Sequence, residues 1–104
     1  MDTLNKPLNR DEVLDRLRTA LPDLRARYGV VRLGIFGSVA RNEAGLESDV
    51  DLVAEFAKGE QPGFAFFDLE RELSDMLGRP AEIAALENMN AYLRALVESD
   101  LVYA

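Results

Sequence analysis

Gly37 and Ser38 stand ten residues ahead of Asp49, Val50 and Asp51 in the string GIFGSVARNEAGLESDVDLVAEF. Residues i and i+2 of an extended strand point to the same face, so Asp49 and Asp51 project side by side while Val50 turns into the packing. Two adjacent carboxylates repel each other unless a cation lies between them. Mg²⁺, a hard ion that seeks oxygen and commonly completes its shell with phosphate, suits such a pair. A Gly-Ser turn facing that ion offers backbone N–H groups and a hydroxyl to the same phosphates. The chemistry this arrangement suits is nucleotidyl transfer.

Positioning those groups requires strands on either side of the turn. Val30 to Phe36 reads as a strand that feeds Gly37, and Val50 to Phe56 as a second strand that carries the Asp pair. Between them, Ser38 to Asn42 is expected to form a short helix, with Ser38 either as its N-cap or as a phosphate ligand at its start. Glu43 to Ser48 is expected to be a polar loop. Upstream, residues 1–8 read as a loose lead-in, and Asn9 with Glu12 as a capping box. Val13, Leu14, Leu17 and Leu21 predict a helix from about Arg10 to Ala20. Pro22 either breaks it or starts a short further turn through Arg27, before Gly29 ends the element. Downstream, Lys58 to Gly63 is turn-rich, Phe64 to Leu77 carries a helical apolar stripe, and Gly78 is its stop. Ala81 to Leu86 is expected to be a short strand and Met89 to Val97 a last helix, with the apolar tail Leu101-Val102-Tyr103 docking on the core. The fold class is α/β (α+β): a small mixed sheet flanked by helices in a single domain over residues 1–104.

Composition narrows the partners. The 104 residues hold 48% hydrophobic and 30% charged side chains, an ordinary globular balance. Twelve basic against 19 acidic residues give a net charge of −7, which argues against a broad grip on nucleic acid. Cysteine and histidine are both absent, so a metal site must be oxygen-based and a general base must be a carboxylate or water. No apolar run approaches the ~20 residues of a membrane span, and the chain is expected to be soluble and cytoplasmic.

The motif resembles that of the polymerase-beta-like nucleotidyltransferase superfamily: Gly-Ser, a spacer, then Asp-x-Asp. The ten-residue spacer, the Ala40-Arg41 pair and Ser48 before Asp49 narrow the resemblance to the minimal nucleotidyltransferase family. Those are small prokaryotic proteins, many of them antitoxins paired with a HEPN-domain toxin, and the resemblance covers roughly Val30 to Leu101. It implies the minimal nucleotidyltransferase fold and a Mg²⁺-dependent protein adenylyltransferase of the type VII toxin–antitoxin class. Such an enzyme moves AMP from ATP to a tyrosine of its HEPN ribonuclease partner and neutralises it. Asp49, Asp51 and Glu82 would then be the catalytic and metal-binding residues, and Gly37, Ser38 and Arg41 the nucleotide-binding ones.

Glu82 departs from the family pattern. Relatives that transfer nucleotides usually carry an Asp in a Gly-Arg-Lys-Val-Asp-Leu context, where this chain reads Gly78-Arg79-Pro80-Ala81-Glu82-Ile83. Glu can bind Mg²⁺ or take a proton, but it is one methylene longer, so Glu82 is either a third ligand and base or a surface residue. Arg41 likewise either reaches triphosphate oxygens or pairs with Glu43 or Glu47, and Ser48 is read as structural, bonding the strand that follows. Phe64, Phe66 and Phe67 are read as packing residues, the alternative being a base-lining or partner surface. Leu96 to Tyr103 leaves the same choice between core and interface. A catalytically impaired chain that inhibits the toxin by binding alone is the alternative function. Transfer to a small molecule ranks third, because such relatives carry an added substrate domain.

Overall fold

The structure is a computed structural model describing residues 9–45, 48–57, 63–84 and 86–104. The lead-in expected over 1–8, Glu47, and most of the loop expected over 58–63 lie outside those residues. No described helix is long and apolar enough to cross a membrane.

Helix α1 runs Arg10–Tyr28, starting at Asn9, whose side chain accepts from the Asp11 and Glu12 N–H groups. It ends at Gly29, in the left-handed region at φ 76°. Of the two outcomes expected at Pro22, a break or a short further turn through Arg27, neither interrupts the helix, which continues to Tyr28. An internal proline removes one helical hydrogen bond and costs about 3 kcal/mol. Leu24 is buried and Tyr28 half-buried beyond it, on the same core as Val13, Leu14 and Leu17, and burying one such side chain returns roughly 1.5–3 kcal/mol. Burial on both sides of Pro22 therefore holds one continuous helix.

Strands β1 (Val30–Phe36) and β2 (Val50–Phe56) form as expected and pair antiparallel, with Phe36 opposite Asp51 and Gly34 opposite Val53. Helix α2 is the single turn Gly37–Ala40, starting one residue earlier and ending two residues earlier than expected. Helix α3 (Ala65–Leu77) stops at Gly78, again left-handed, and leads into β3 (Ala81–Ala84). Strand β3 is shorter than expected because Leu86–Asn88 turns as a 3-10 helix. It lies parallel to β2, with Val50 opposite Ala81 and Asp51 opposite Glu82. Its outer edge is covered by α3: Ala81 N–H donates to Ser74 Oγ at 2.9 Å, and Ile83 N–H to Glu70 Oε2 at 2.9 Å.

Helix α4 runs Ala91–Asp100, because the Asn90 side chain accepts from Leu93 N–H and fixes its start. The apolar tail does more than dock. Val102–Tyr103 forms β4, antiparallel to β1, completing the sheet order β3-β2-β1-β4. Gly34 makes that approach possible, since a Cβ there would fall 2.7 Å from Leu101 Cδ1 and 3.1 Å from Tyr103 Cδ1.

The main core lies on one face of the sheet, where Leu33, Ile35, Val50, Leu52 and Ala54 pack against α1 and α3. Strand periodicity sends Val53 to the other face, where it meets Leu86 and Val97. Val97 is the buried residue of α4 among those described, so the expected stripe through Leu93 and Leu96 faces solvent. Phe66 packs on the core, but Phe64 is 92% exposed and Phe67 also faces solvent, so neither is a packing residue.

Candidate active site

The site forms at the end of the sheet where β1 finishes and β2 begins. Asp51 shares its face with Phe36 across the β1 pairing and with Glu82 across the β3 pairing. Val50 is fully buried on the opposite side, as the alternation requires. Asp49 precedes the strand and is exposed, whereas Asp51 is half-buried.

Gly37 closes over Asp51. Its φ is +75°, and a Cβ there would lie 2.7 Å from Asp51 Oδ2. Only glycine brings the backbone this close to the carboxylate in that conformation. The start of α2 also leaves N–H groups without partners inside the helix, pointing outward as donors. Its cap position is Phe36, with no side-chain cap bond, so Ser38 is not the N-cap. The Ser38 hydroxyl makes no hydrogen bond to another described residue. Turn chemistry suggested a Ser cap, but the positive φ at Gly37 starts the helical turn one residue sooner.

The carboxylates of Asp49, Asp51 and Glu82 have no hydrogen bond or ion pair to another described residue. Burial raises the Asp51 carboxyl above its ordinary value, and the negative charge of Asp49 raises it further. Such a pair fits a hard divalent ion: its donors are all oxygen, they bear uncompensated charge, and the neighbouring glycine leaves room beside one of them. The expected three-carboxylate set is not assembled, however. Among the described residues no group of three acidic side chains converges on one point. Glu82 is adjacent to Asp51 in register, but its longer side chain is exposed.

Arg41 does not reach toward this pair. Its Nε lies 3.0 Å from Glu43 Oε1 and its Nη1 2.6 Å from Asp100 Oδ2, at the end of α4. The ion-pair reading therefore describes Arg41, with Asp100 as a partner that sequence spacing gave no reason to expect. Glu47 lies outside the described residues. Ser48 is structural but acts backward: its Oγ accepts from Gly45 N–H at 2.9 Å, closing the loop before Asp49 instead of bonding the strand after it.

Sequence reading also passed over Arg79. It is buried, 5% exposed, and its Nη1 donates to Gly45 O at 3.0 Å and Ser48 O at 3.1 Å. The available signal was an arginine between the Gly78 helix stop and the Pro80 that leads into a strand, and it is weak without knowing which carbonyls lie near it.

Comparison with known proteins agrees with this fold. The model of a family described as nucleotidyltransferase domain matches residues 14–103. A Methanocaldococcus jannaschii protein, named provisionally as a protein adenylyltransferase, is 39% identical over 88% of this chain and 94% of its own length. The protein adenylyltransferase MntA of Thermococcus cleftensis is 32% identical over 92% of this chain and 96% of its own. Among solved structures, one described provisionally as a minimal nucleotidyltransferase superposes with a TM-score of 0.74 at 33% identity, covering 91% of this chain and 95% of that one. A toxin–antitoxin structure with AMP-PNP shares the fold at 20% identity, with a TM-score of 0.65 over 92% of this chain and 72% of that one.

Proposed function

This chain belongs to the nucleotidyltransferase domain family, and from that premise we propose that it is the antitoxin of a HEPN-toxin pair, acting as a Mg²⁺-dependent protein adenylyltransferase. The substrate is ATP and the acceptor a tyrosine hydroxyl of the toxin. The bond formed joins the tyrosine oxygen to the α-phosphorus, the bond broken joins that phosphorus to the bridging oxygen, and pyrophosphate leaves. The toxin loses its ribonuclease activity when its tyrosine is modified. The relatives named as protein adenylyltransferases support the reaction class, and the related fold in a toxin–antitoxin structure with AMP-PNP supports the partner and the nucleotide. The work would take place in the cytoplasm.

The observation that carries this reading is the Asp49–Asp51 pair beside the Gly37 turn, whose carboxylates have no cation among the described residues. Asp49 and Asp51 would hold Mg²⁺, which when bound neutralises phosphate charge and orients the triphosphate for in-line displacement. The N–H groups of the Gly37-Ser38 turn and the free Ser38 hydroxyl would hold phosphate oxygens. Glu82, next to Asp51 and open to solvent, would accept the tyrosine proton, a role that needs reach more than fixed metal geometry. Positioning and charge neutralisation would supply most of the rate.

A second reading has its own observation. Because Glu82 does not converge with the Asp pair, the chain would inhibit the toxin by contact alone. One experiment separates the two. The protein is incubated with the HEPN-domain toxin, ATP labelled at its α-phosphate, and Mg²⁺. Adenylyl transfer predicts label on a toxin tyrosine and falling RNA cleavage. Inhibition without label would establish the binding-only reading instead.

A further inference from the structure

We infer that Arg79 and Pro80 are positioning residues that hold the backbone on both sides of Asp49; their link to metal and nucleotide rests on the reading proposed above. Arg79 is the one charged residue buried among those described. Burying a guanidinium is unfavourable unless its donors are matched, so its partners show what the fold needs held. Nη1 reaches the carbonyls of Gly45 and Ser48, more than thirty residues earlier in the chain. The Ser48 carbonyl belongs to the peptide that enters Asp49. The peptide that leaves Asp49 carries the Val50 N–H, which donates to the Pro80 carbonyl at 2.9 Å. Two consecutive residues thus fix both peptide planes flanking Asp49.

Among the described residues of the loop, Glu43, Gly45 and Asp49 are exposed, Ala44 packs on the core, and the Ser48 hydroxyl bonds only within the turn. Asp49 is repelled by Asp51, so an unanchored loop would swing it outward, away from the shared position a cation requires. Arg79 opposes that swing from below. The dipeptide also leads into β3, whose register places Glu82 opposite Asp51. Lysine would not substitute fully, because a single ammonium lacks the planar, pre-organised fork of guanidinium.

The test uses the full chain with Arg79→Gln and Arg79→Lys. Amide hydrogen exchange at Gly45, Ser48 and Val50 is followed without ligand, together with thermal melting. Binding of a fluorescent, non-hydrolysable ATP analogue is then titrated with Mg²⁺. Arg79→Gln is expected to melt cooperatively, to exchange at Val50 about 10-fold faster, and to need about 10-fold more Mg²⁺ at the binding midpoint, the scale of effect seen when groups supporting a metal ligand are removed. Arg79→Lys is expected to fall between wild type and Arg79→Gln. If Arg79→Gln fails to fold, the same comparison is made on Arg79→Lys. A lowered melting temperature with an unchanged Mg²⁺ midpoint would mean a structural staple only and would overturn the inference. Should the wild type bind no nucleotide at any Mg²⁺ concentration, the proposed function fails, and unchanged exchange at Val50 would separately overturn the positioning role.

Discussion

Asp51 and Glu55 lie four residues apart on the same strand and the same face of the sheet, yet their surroundings are opposite. Glu55 sits 2.9 Å from the Arg32 guanidinium and accepts from the Tyr103 hydroxyl at 2.6 Å, while Arg32 stacks 4.0 Å above the Tyr103 ring. Asp51 has no cation among the described residues, and burial and Asp49 raise its carboxyl. Glu72, on α3, repeats the first pattern: hydrogen bonds from Arg27 and Tyr28 hold its carboxyl down at about 2. Among the described residues, carboxylates that tie elements together have cationic or hydroxyl partners, and those at the Asp end of the sheet have none. Under the function proposed above, the cation such a pair needs would come from outside the chain.

Breaking the unpartnered end should give the largest effect. Asp51→Asn is expected to lower the rate of AMP transfer by about 1,000-fold or more, since it removes charge stabilisation from the reacting phosphate. Its melting temperature should hold or rise as repulsion from Asp49 is relieved; unfolding would instead make Asp51 structural. Gly37→Ala comes next. It forces a Cβ against Asp51 Oδ2 and a left-handed alanine costs about 1–2 kcal/mol, so transfer should fall by about 100-fold with a measurable loss in denaturant unfolding. Gly45→Ala, which meets nothing within 4 Å and has no positive φ, should be nearly silent in both assays.

Breaking the partnered end should reverse the pattern. Glu55→Gln is expected to leave transfer unchanged and to lower unfolding stability by about 1–2 kcal/mol, through weakened bonds to Arg32 and Tyr103. A transfer defect there would remove the contrast between the two ends. The smallest effect is on pH dependence, where the signs differ. Glu72 has a depressed carboxyl, so its stabilising share is present above pH 4.5 and is lost as pH falls toward about 2. Asp51 is raised, so the folded state favours its protonated form, and its share of stability is lost as pH rises through its folded value. Melting curves of Asp51→Asn should therefore exceed wild type most at neutral pH and converge with it in acid, while Glu72→Gln should fall below wild type at neutral pH.

Much of the fold was legible because it rests on local periodicity. Strands β1 and β2 were readable from continuous apolar runs that end at Gly37 and begin at Val50, and α3 from its stripe and Gly78. Misreadings came where tertiary burial overrode a local rule. Pro22 stays helical because both halves of α1 face one core. Phe67 is apolar yet exposed because α3 turns Phe66, Leu69, Leu73, Met76 and Leu77 inward, and Phe64 stands exposed just ahead of the helix.

By itself the sequence determined that Gly37-Ser38 precedes an Asp-x-Asp pair at the start of a strand, and the two-residue period turns Asp51 away from the core that takes Val50. It also determined that any metal chemistry must use oxygen. Tertiary structure alone decided which carboxylates would be neutralised. Arg41 went to Glu43 and Asp100, Arg32 to Glu55, and Arg79 to the carbonyls below Asp49, across separations of up to 59 residues. Charge pairing depends on where the folded backbone brings side chains together, and neither spacing nor composition encodes that distance. Glu82 shows the same division: its carboxylate was visible in the chain, but its place beside Asp51 comes from the parallel register of β3.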